Sequence, residues 1–381
     1  MEIKRLGELC NIVSGGTPSR TKTEFWNNGT IPWVKIGDIK EKYINETDEF
    51  ITKEGLDGSS TKMLPAGTIL YTIFATLGEV GILEIAACTN QAIAGIMIND
   101  IKQLNTDYLY YYLKSKKTYV NRVGRGVAQN NINMSMLKAL EVPVPELSKQ
   151  LEIVKVIDKA YEVIEDRKQE LKCLDNLIRA RFVEMFGDMF LNTMGWQEES
   201  LESLADIVSG ITKGRKIKEK KLIEVPYMAV SNVKNGYIDW TTVKTIEATE
   251  QEINQYRLLP DDVLMTEGGD PDKLGRGAII REPLENCIHQ NHIFRVRLNE
   301  SIVLPDFFEE YLQHQRAKRY FLGCAKQTTG IASINMKQLR ALPVLIPPLK
   351  LQQQFSDFVR ELNKSKLRYQ LHTHTCQPNT S

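Results

Sequence analysis

Several features that define common protein classes are absent from this sequence. Its 381 residues include six cysteines, which lie far apart with no CxxC pair, so we expect a reduced cytoplasmic protein rather than a disulfide or zinc framework. There is no run of about twenty uncharged apolar residues, and the opening MEIKRLGELC has no apolar signal segment. Neither a phosphate-binding loop, a dinucleotide-binding glycine motif nor a helicase motif occurs. The sequence therefore carries no signature of a nucleotide-driven enzyme.

The sequence also has no excess of either charge. The formal net charge is +1, and residues 1–145 and 195–345 are each balanced to within one charge. A surface for nucleic acid must therefore be local. Basic runs at 114–117, 212–221 and 316–319 are candidates, although a solvated surface run is the simpler interpretation of each.

What the sequence does contain is an internal duplication. INMSMLKALEVPVP begins at Ile132 and INMKQLRALPVLIP at Ile334, and the two segments share eight of fourteen positions. LGELCNIVSGG near the start has a counterpart in LESLADIVSGI from Leu201, and CTNQAI from Cys88 has one in CIHQNHI from Cys287. The spacing drifts from about 195 to 202 residues, as small loop insertions would cause. We infer two copies of one unit.

Each copy has a mixed pattern of strands and helices. Short β-branched runs between glycine turns predict strands, such as TILYTIF and VGILEIA in the first copy and VLMT and GAIIRE in the second. One helix is predicted from Thr106 and its counterpart from Leu304, with Asp107 and Asp306 in the first turn. A polar loop follows each helix, GRGVAQNN in one copy and GCAKQTTGIAS in the other. The pattern indicates an α+β domain with a twisted sheet and exposed loops.

The segment after each copy is strongly helical. From Glu146 onward, apolar residues recur mostly every three or four positions for some forty residues without glycine or proline, which predicts a helix of about 60 Å. Such a length is typical of a coiled-coil partner. A second helix begins likewise after Pro347 and Pro348. The predicted organisation is domain 1 (1–145), a central helix (146–188), domain 2 (189–345), a distal helix (346–371) and a tail (372–381).

The order of these segments resembles the specificity subunit of type I restriction–modification systems. The matching phrases are LGELCNIVSGGTP, IPWVKIGDI, LPAGTILYT, INMSMLKALEVPVPELSKQLEIV, RARFVEMFGD, GWQEESLESLADIVSG and IPPLKLQQQFSDFV. They extend from Met1 to about Gln370. Their order and duplication carry the resemblance, because no single phrase is diagnostic.

The resemblance implies an α+β fold in which two target-recognition domains alternate with two long helices that pack as an antiparallel coiled coil. It implies a non-catalytic subunit that reads a bipartite, asymmetric target in double-stranded DNA, one half-site per domain. The implied partners are two adenine methyltransferase subunits and, in the full complex, two restriction subunits that translocate DNA, with no membrane involved. S-adenosylmethionine, ATP and magnesium would bind to those partners, so no cofactor or metal is expected on this chain.

The distal helix departs from the family pattern. With a spacing of 202 residues, the end of the central helix at 163–188 should recur at 365–390, but the sequence ends at Ser381. The final LHTHTCQPNTS does not resemble LKCLDNLIRARFVEMFGD. We therefore expect a shortened distal helix with weaker coiled-coil packing, and a truncated, partly active specificity subunit is one alternative.

DNA contacts are expected on exposed loops, where small polar and basic side chains bind phosphate and bidentate side chains read bases. In the first copy the candidates are Thr17, Ser19, Arg20, Lys22, Lys35, Asp38, Thr76, Gln91, Arg122, Arg125 and Gln129. In the second they are Lys213, Arg215, Lys216, Ser231, Asn232, Lys234, Glu267, Asp270, Lys273, Arg276, Gln290, Asn291, Lys326, Gln327 and Thr328. Gln91 and Gln290 are favoured because the alignment makes them equivalent, whereas Trp33 and Tyr227 are expected in the core.

Two other classes of function stay open. A duplicated enzyme could use Cys88 and Cys287, or His289 and His292, as nucleophile or ligands. The first copy has no histidine, however, so duplicated histidine chemistry is excluded. The second alternative is a repeat scaffold that binds only proteins.

Overall fold

The computed structural model describes residues 2–124, 132–215, 221–269, 274–328 and 331–374. It divides the chain into two compact units, Met1–Ile164 and Glu165–Ser381. The division falls inside the central helix rather than at either of its ends, because the first part of that helix packs on the first unit and the last part on the second.

The first unit is built around a mixed sheet covered by helices. Its strands are β1 (Glu2–Arg5), β2 (Cys10–Ser14), β3 (Ile31–Val34), β4 (Tyr43–Ile44), β5 (Phe50–Ile51), β6 (Ile69–Thr72), β7 (Val80–Leu83), β8 (Cys88–Thr89), β9 (Ile93–Ile98) and β10 (Glu141–Val144). Its helices are α1 (Leu6–Leu9), α2 (Lys53–Asp57), α3 (Thr106–Ser115), α4 (Lys117–Gly124) and α5 (Met134–Lys138). The strand orders are β2-β9-β6-β7-β4, β5-β3-β8 and β1-β10.

The second unit begins within α6 (Leu147–Phe186) and repeats this arrangement. Its strands are β11 (Gln197–Ser200), β12 (Ala205–Ser209), β13 (Ile223–Met228), β14 (Lys244–Ala248), β15 (Val263–Thr266), β16 (Gly268–Gly269), β17 (Gly277–Ile279), β18 (Ile288–His289), β19 (Ile293–Leu298), β20 (Lys326–Thr328), β21 (Ile331–Ser333) and β22 (Pro343–Ile346). Its helices are α7 (Leu201–Leu204), α8 (Glu250–Tyr256), α9 (Pro305–Gln313), α10 (Gln315–Cys324), α11 (Met336–Arg340) and α12 (Leu349–His374).

The strand orders of the two units correspond. The second unit has β12-β19-β15-β17, β14-β13-β18 and β11-β22, which match β2-β9-β6-β7, β5-β3-β8 and β1-β10 of the first. Even the parallel pair β3-β8 has its counterpart in β13-β18. The duplication predicted from the sequence is therefore confirmed at the level of topology. The described residues of the second unit also include a ribbon of order β16-β21-β20.

The repeated INM segment has a structural role in both units. The side chain of Asn133 accepts a hydrogen bond from the Met136 N–H at 2.8 Å, and that of Asn335 accepts one from the Gln338 N–H at 3.0 Å. Each asparagine thereby caps a short helix, α5 or α11. The strand that follows, β10 or β22, pairs with the strand that opens its unit. The segment is repeated because it closes each unit on its own beginning.

Two details of the predicted secondary structure are wrong. The single helix predicted in each copy is two helices, α3 and α4 in one unit and α9 and α10 in the other. In the second unit the break lies at His314, whose backbone is extended (ψ 154°) and whose side chain caps α10 by accepting the Arg316 N–H. The loop GCAKQTTGIAS instead supplies the strands β20 and β21, because β21 pairs with Gly268 and Gly269 on one side and with β20 on the other.

The long helices pack as the resemblance implied. The helix α6 runs without interruption for 40 residues, and α12 for 26. In the second unit the Phe355 ring lies 5.4 Å from that of Phe182 and 5.5 Å from that of Phe186, while Lys366 Nζ lies 2.5 Å from Asp175 Oδ1. Because contact partners run in opposite directions along the chain, the two helices are antiparallel. The described side chains of α12 end at Lys366, so the shortening of the distal helix stays a prediction.

Two further observations concern the helices and the cysteines of the described residues. No helix of the described ranges combines the length and the apolar character that a membrane span requires. Each cysteine placed within those ranges is a free thiol.

Candidate nucleic-acid interface

Three loops of the first unit, those after β2, β6 and β8, meet at the ends of its strands. The Gly15 N–H donates to the Ile93 carbonyl at 3.0 Å, and the Gly16 N–H donates to the Thr89 carbonyl at 2.8 Å. The backbone approach is so close that a Cβ at Gly15 would lie 2.1 Å from the Asn90 carbonyl oxygen, which is why glycine is required there. This contact brings the loop after β2 against the loop after β8. We call this margin the polar edge of the first unit.

Most of the described candidates of the first unit lie along this edge. The Thr17 hydroxyl donates to the Gln91 amide oxygen across the two loops. Thr76 is exposed in the β6–β7 loop, which joins the edge because the Ile73 N–H donates to the Ala92 carbonyl at 2.8 Å. The fold thus brings together side chains that lie far apart in the sequence.

The helix α4 borders the same edge. Asn121 Nδ2 donates to the Leu77 carbonyl in the β6–β7 loop at 3.1 Å, and Arg122 is exposed one residue further along α4. In the loop after β2, Ser19 and Lys22 are also exposed. The Lys22 ammonium lies 4.8 Å from the centroid of the Phe25 ring. These side chains are open to a phosphate backbone.

Two basic candidates of the first unit share one carboxylate. Arg20 Nη2 lies 2.5 Å from Glu49 Oε2, and Lys35 Nζ lies 3.0 Å from Glu49 Oε1. Burial by itself would raise the pKa of Glu49, but the hydrogen bonds from Arg20 and Lys35 outweigh it and lower that pKa. Glu49 is therefore ionised and compensates part of the positive charge of this edge.

Asp38 and Asn232 occupy equivalent turns and close them. Asp38 Oδ2 accepts the Lys35 N–H, and Asn232 Oδ1 accepts the Ala229 N–H, both at 2.9 Å. The Asn232 amide also donates to the Asp239 carbonyl at 2.9 Å, and the residue is fully buried. The prediction that Asn232 contacts DNA is therefore wrong, since its polar atoms serve the chain's own backbone. The Asp38 carboxylate likewise closes a turn by binding the chain's own backbone.

The second unit has a corresponding polar edge. The Ile211 N–H donates to the His289 carbonyl, and the Asn291 N–H donates to the Ile211 carbonyl, both at 3.0 Å. The Glu267 N–H donates to the His292 carbonyl at 3.0 Å, and His292 Nδ1 lies 2.5 Å from Glu267 Oε2. The exposed candidates nearest this margin by sequence are Lys213 and Ser231, while Lys234, Arg276, Gln290 and Asn291 are half-buried.

Arg215 has a different environment from the exposed candidates. Its Nε and Nη2 bind the two carboxylate oxygens of Glu252 at 2.5 and 2.6 Å, and Nη2 also donates to the Glu247 carbonyl at 3.1 Å. This bidentate arrangement uses the face of the guanidinium that a base or phosphate would need. Arg215 therefore fastens the loop after β12 to the N-terminus of α8.

Gln91 and Gln290 are not equivalent in the fold. The N–H that binds the end of β3 belongs to Asn90, at 3.2 Å, whereas the N–H that binds the end of β13 belongs to Gln290, at 3.0 Å. Gln290 is thus the counterpart of Asn90, and Asn291 is the counterpart of Gln91. The equivalence inferred from the sequence is wrong by one residue. The alignment matched two identical glutamines, whereas strand pairing sets the true correspondence.

Some predicted contacts cannot be placed. Arg125, Gln129, Lys216, Asp270 and Lys273 lie outside the described residues. The backbone of β20 is described, but the side chains of Lys326, Gln327 and Thr328 are not.

The comparisons with known proteins agree with this geometry. The chain matches the type I restriction modification DNA specificity domain over residues 1–173 and again over residues 194–371. It belongs to that family. The two matches correspond to the two units, each of which has its own polar edge. Specificity subunits of this family recognise DNA and are not themselves catalytic.

Individual relatives are distant. The chain is 22% identical to the MjaIX specificity subunit of Methanocaldococcus jannaschii over 95% of this chain and 86% of that protein. It is 22% identical to the EcoKI specificity subunit of Escherichia coli over 94% and 81%. The match to the EcoR124I/EcoR124II specificity subunit of Escherichia coli is 29% identical over 165 residues, 42% of this chain, and spans 40% of that protein.

Two solved structures share the fold. The S subunit of the type I system from M. genitalium has a TM-score of 0.51 at 16% identity and covers 98% of this chain and 92% of its own. A structure from work on complex assembly and conformational transition of the type I system has a TM-score of 0.55 at 16% identity, covering 97% and 94%. At this identity the likeness concerns the fold alone.

The alternative of a cysteine-based enzyme is contradicted in this family member. Cys88 and Cys287 are both fully buried. Burial raises the pKa of the Cys287 thiol to about 12 and also raises that of Cys88, so neither forms a thiolate near neutral pH. Trp33 and Tyr227 are 3% and 5% exposed, which confirms them as core residues.

A buried glutamine in each unit was not predicted from the sequence. Gln150, on α6, accepts the Asn105 N–H and donates to the carbonyls of Gln103 and Pro145, all at 2.8 Å. The side chain is fully buried and ties the first turns of α6 to the loop before α3. The available signal was a polar residue on the apolar face of the helix.

Gln352 makes the same three hydrogen bonds in the second unit. It accepts the Leu304 N–H at 2.9 Å and donates to the carbonyls of Ile302 and Pro347 at 3.0 and 2.8 Å. It too is fully buried. The two glutamines are 202 residues apart, the spacing of the INM segments. We call each of them, with its three bonds, the glutamine clamp of its unit.

An ion network beside each clamp also joins the unit to its helix. In the first unit Lys42 Nζ lies 2.8 Å from Asp107 Oδ1 and 3.2 Å from Asp158 Oδ1 of α6. Burial alone would lower the pKa of Lys42, but its bonds to the two carboxylates outweigh that effect and raise it. In the second unit the fully buried carboxylate of Asp306 pairs with Arg281 and accepts the Ser356 hydroxyl of α12 at 2.5 Å.

Proposed function

We propose that this chain reads a bipartite, asymmetric DNA target, with one half-site read by each unit. Support comes from the strand orders that the two units share. Each unit has a polar edge where the loop after β2 or β12 meets the loop after β8 or β18. The side chains along the two edges differ, since Gln91 corresponds to Asn291 and Asn90 to Gln290. Two similar scaffolds with different edge residues would read different half-sites, which makes the target asymmetric.

The proposal includes assembly with catalytic partners. Two adenine methyltransferase subunits, and two restriction subunits in the full complex, would provide the chemistry and bind S-adenosylmethionine, ATP and magnesium. The helix α6 has a surface suited to such partners, because Val156, Val163 and Ile164 are 70%, 46% and 42% exposed. Positions seven and eight residues apart share one face of a helix, and an exposed apolar face on a long helix marks a protein–protein contact.

The observation that carries the proposal is the duplication of the fold together with its polar edge. The test is an exchange of residues 1–164, the first compact unit, for the matching part of another family member. With the methyltransferase subunit present, genome-wide mapping of methylated adenines should show one half-site changed and the other kept. A change in both half-sites, or in neither, would contradict the assignment of one half-site to each unit.

A further inference from the structure

Arg20 is held in place on the polar edge of the first unit. Its guanidinium carbon lies 3.6 Å from the centroid of the Trp26 ring, and its Nη2 pairs with Glu49. Trp26 is fixed in turn because its indole N–H donates to the Ser19 carbonyl at 3.1 Å. The Arg20 side chain nevertheless stays 54% exposed. Because Arg20 is stacked and ion-paired, its side chain has already lost much of its rotamer freedom. Binding a ligand through its exposed face therefore costs less conformational entropy.

The duplication provides a matched comparison for Arg20. Arg215 lies 195 residues later, five residues after Gly210 as Arg20 is after Gly15. Its carboxylate partner takes both Nε and Nη2, and its side chain is 19% exposed. Arg20 pairs with Glu49 at Nη2 and its side chain is 54% exposed, so donors of its five-donor guanidinium stay accessible to a ligand. The two arginines occupy equivalent positions in the repeat, but the Nε and Nη2 donors of Arg215 are already bound to Glu252.

We propose that Arg20 reads a guanine in the half-site of the first unit and that Arg215 reads no base. The guanidinium fork matches the O6 and N7 acceptors that guanine presents in the major groove. Glu49 favours this role over a phosphate contact, because the ion pair compensates the charge that attracts phosphate while directional N–H donors remain. The inference rests on the proposed function, since it requires that the first unit contacts a half-site.

Lys22 supplies the contrast within the same loop. It is exposed and has no ion pair among the described residues. A lysine of this kind is a point charge without a planar fork, suited to phosphate. Lys22→Ala is therefore expected to weaken binding about equally at all sequences and to reduce the dependence of affinity on salt. Arg20 variants should instead change which base is preferred.

The first experiment compares methylation patterns. The full chain, with its methyltransferase subunit, is expressed as wild type, Arg20→Lys, Arg215→Lys and Lys22→Ala, and methylated adenines are mapped genome-wide. Arg20→Lys keeps the charge but loses the fork, so one guanine of the first unit's half-site should become degenerate. Arg215→Lys should keep every base of both half-sites. Retention of all guanines by Arg20→Lys, or loss of a guanine by Arg215→Lys, would overturn the inference.

A second measurement changes the DNA and compares the wild-type complex with the Arg20→Lys complex. Target duplexes carry 7-deazaguanine, which lacks the N7 acceptor, at each guanine of the half-site in turn, and the affinity of the assembled wild-type complex is measured. One position should weaken binding by roughly 5- to 150-fold, and Arg20→Lys should be nearly insensitive there. Equal loss in both proteins would assign the contact to another residue. Failure of the proposed function is distinguishable, because the wild-type complex would then show no sequence preference at all.

Discussion

The glutamine clamp of the second unit allows a quantitative prediction. Gln352→Leu keeps a side chain of similar size on α12 but removes all three hydrogen bonds. The Leu304 N–H loses its acceptor, and the carbonyls of Ile302 and Pro347 lose their common donor. Leaving a buried donor unsatisfied costs about 1–3 kcal/mol, with further loss for each acceptor. We expect the free energy of unfolding of this unit to fall by about 2–4 kcal/mol.

The assay combines thermal unfolding with hydrogen exchange. For a unit of this size about 1 kcal/mol corresponds to 2–4 °C, so the second unit of Gln352→Leu should melt roughly 5–15 °C lower. Exchange at the Leu304 amide should accelerate. The matched control is Gln353→Leu, because the Gln353 side chain is exposed and, among the described residues, bonds only to Asp357, at 3.0 Å. It should change the free energy of unfolding by less than about 0.5 kcal/mol.

One result would refute this reasoning. If Gln352→Leu melts within about 2 °C of wild type and the Leu304 amide stays protected, the buried hydrogen bonds do not hold α12 to the unit. Gln150→Leu provides an independent repeat of the test, because the same three bonds recur in the first unit. It should lower the stability of the first unit and leave the second unchanged.

Three other outcomes are expected. Burial raises the pKa of Glu309 to about 7 from an ordinary value of 4.5, so the folded chain keeps a proton that the unfolded chain releases and stability falls as pH rises between these values. Glu309→Gln should therefore raise the free energy of unfolding by about 1–3 kcal/mol at pH 8 and by little at pH 4; equal effects in melting curves at both pH values would contradict this. Inserting four residues near Lys168 lengthens α6 by roughly 6 Å, so the gap between half-sites should grow by one or two base pairs with the half-site sequences unchanged; an unchanged gap in methylation maps would show that the helix does not set it. The purified chain alone should transfer no methyl group to DNA from S-adenosylmethionine, and methylated adenine in that reaction would assign the chemistry to this chain.

Periodicity and duplication predicted the larger features of the fold. The regular apolar spacing after Glu146 predicted a helix within a residue or two of its observed ends, because a long amphipathic helix depends on local pattern. The strands at 69–72 and 263–266 were also predicted, since β-branched runs between turns are local signals. The break at His314 was not predicted, because helical spacing continues across it and only the cap geometry marks the end.

Details of the polar edges could not be predicted from spacing. Asn232 is a plausible DNA contact in sequence, but its amide closes a turn that exists only once Ala229 and Asp239 are brought together. The alignment of Gln91 with Gln290 followed identical letters, whereas strand pairing sets the true correspondence. Arg215 depends on Glu252, which is 37 residues away. Such long-range polar contacts leave no periodic trace in the sequence.

The division of the first unit inside α6 has a consequence for hybrid subunits. Val154, buried in the core, and Asp158, bound to Lys42, belong to the helix but complete the first unit. A crossover at Pro145 would join an incoming domain to a helix from a different protein. The residue of that domain that corresponds to Lys42 would then need a carboxylate on the helix, and its loop before α3 would need a buried glutamine there. A crossover after Ile164 transfers the domain together with the part of the helix that packs against it. Genes recombined within the helix-coding segment should therefore yield stable hybrids more often than genes joined at the domain edge.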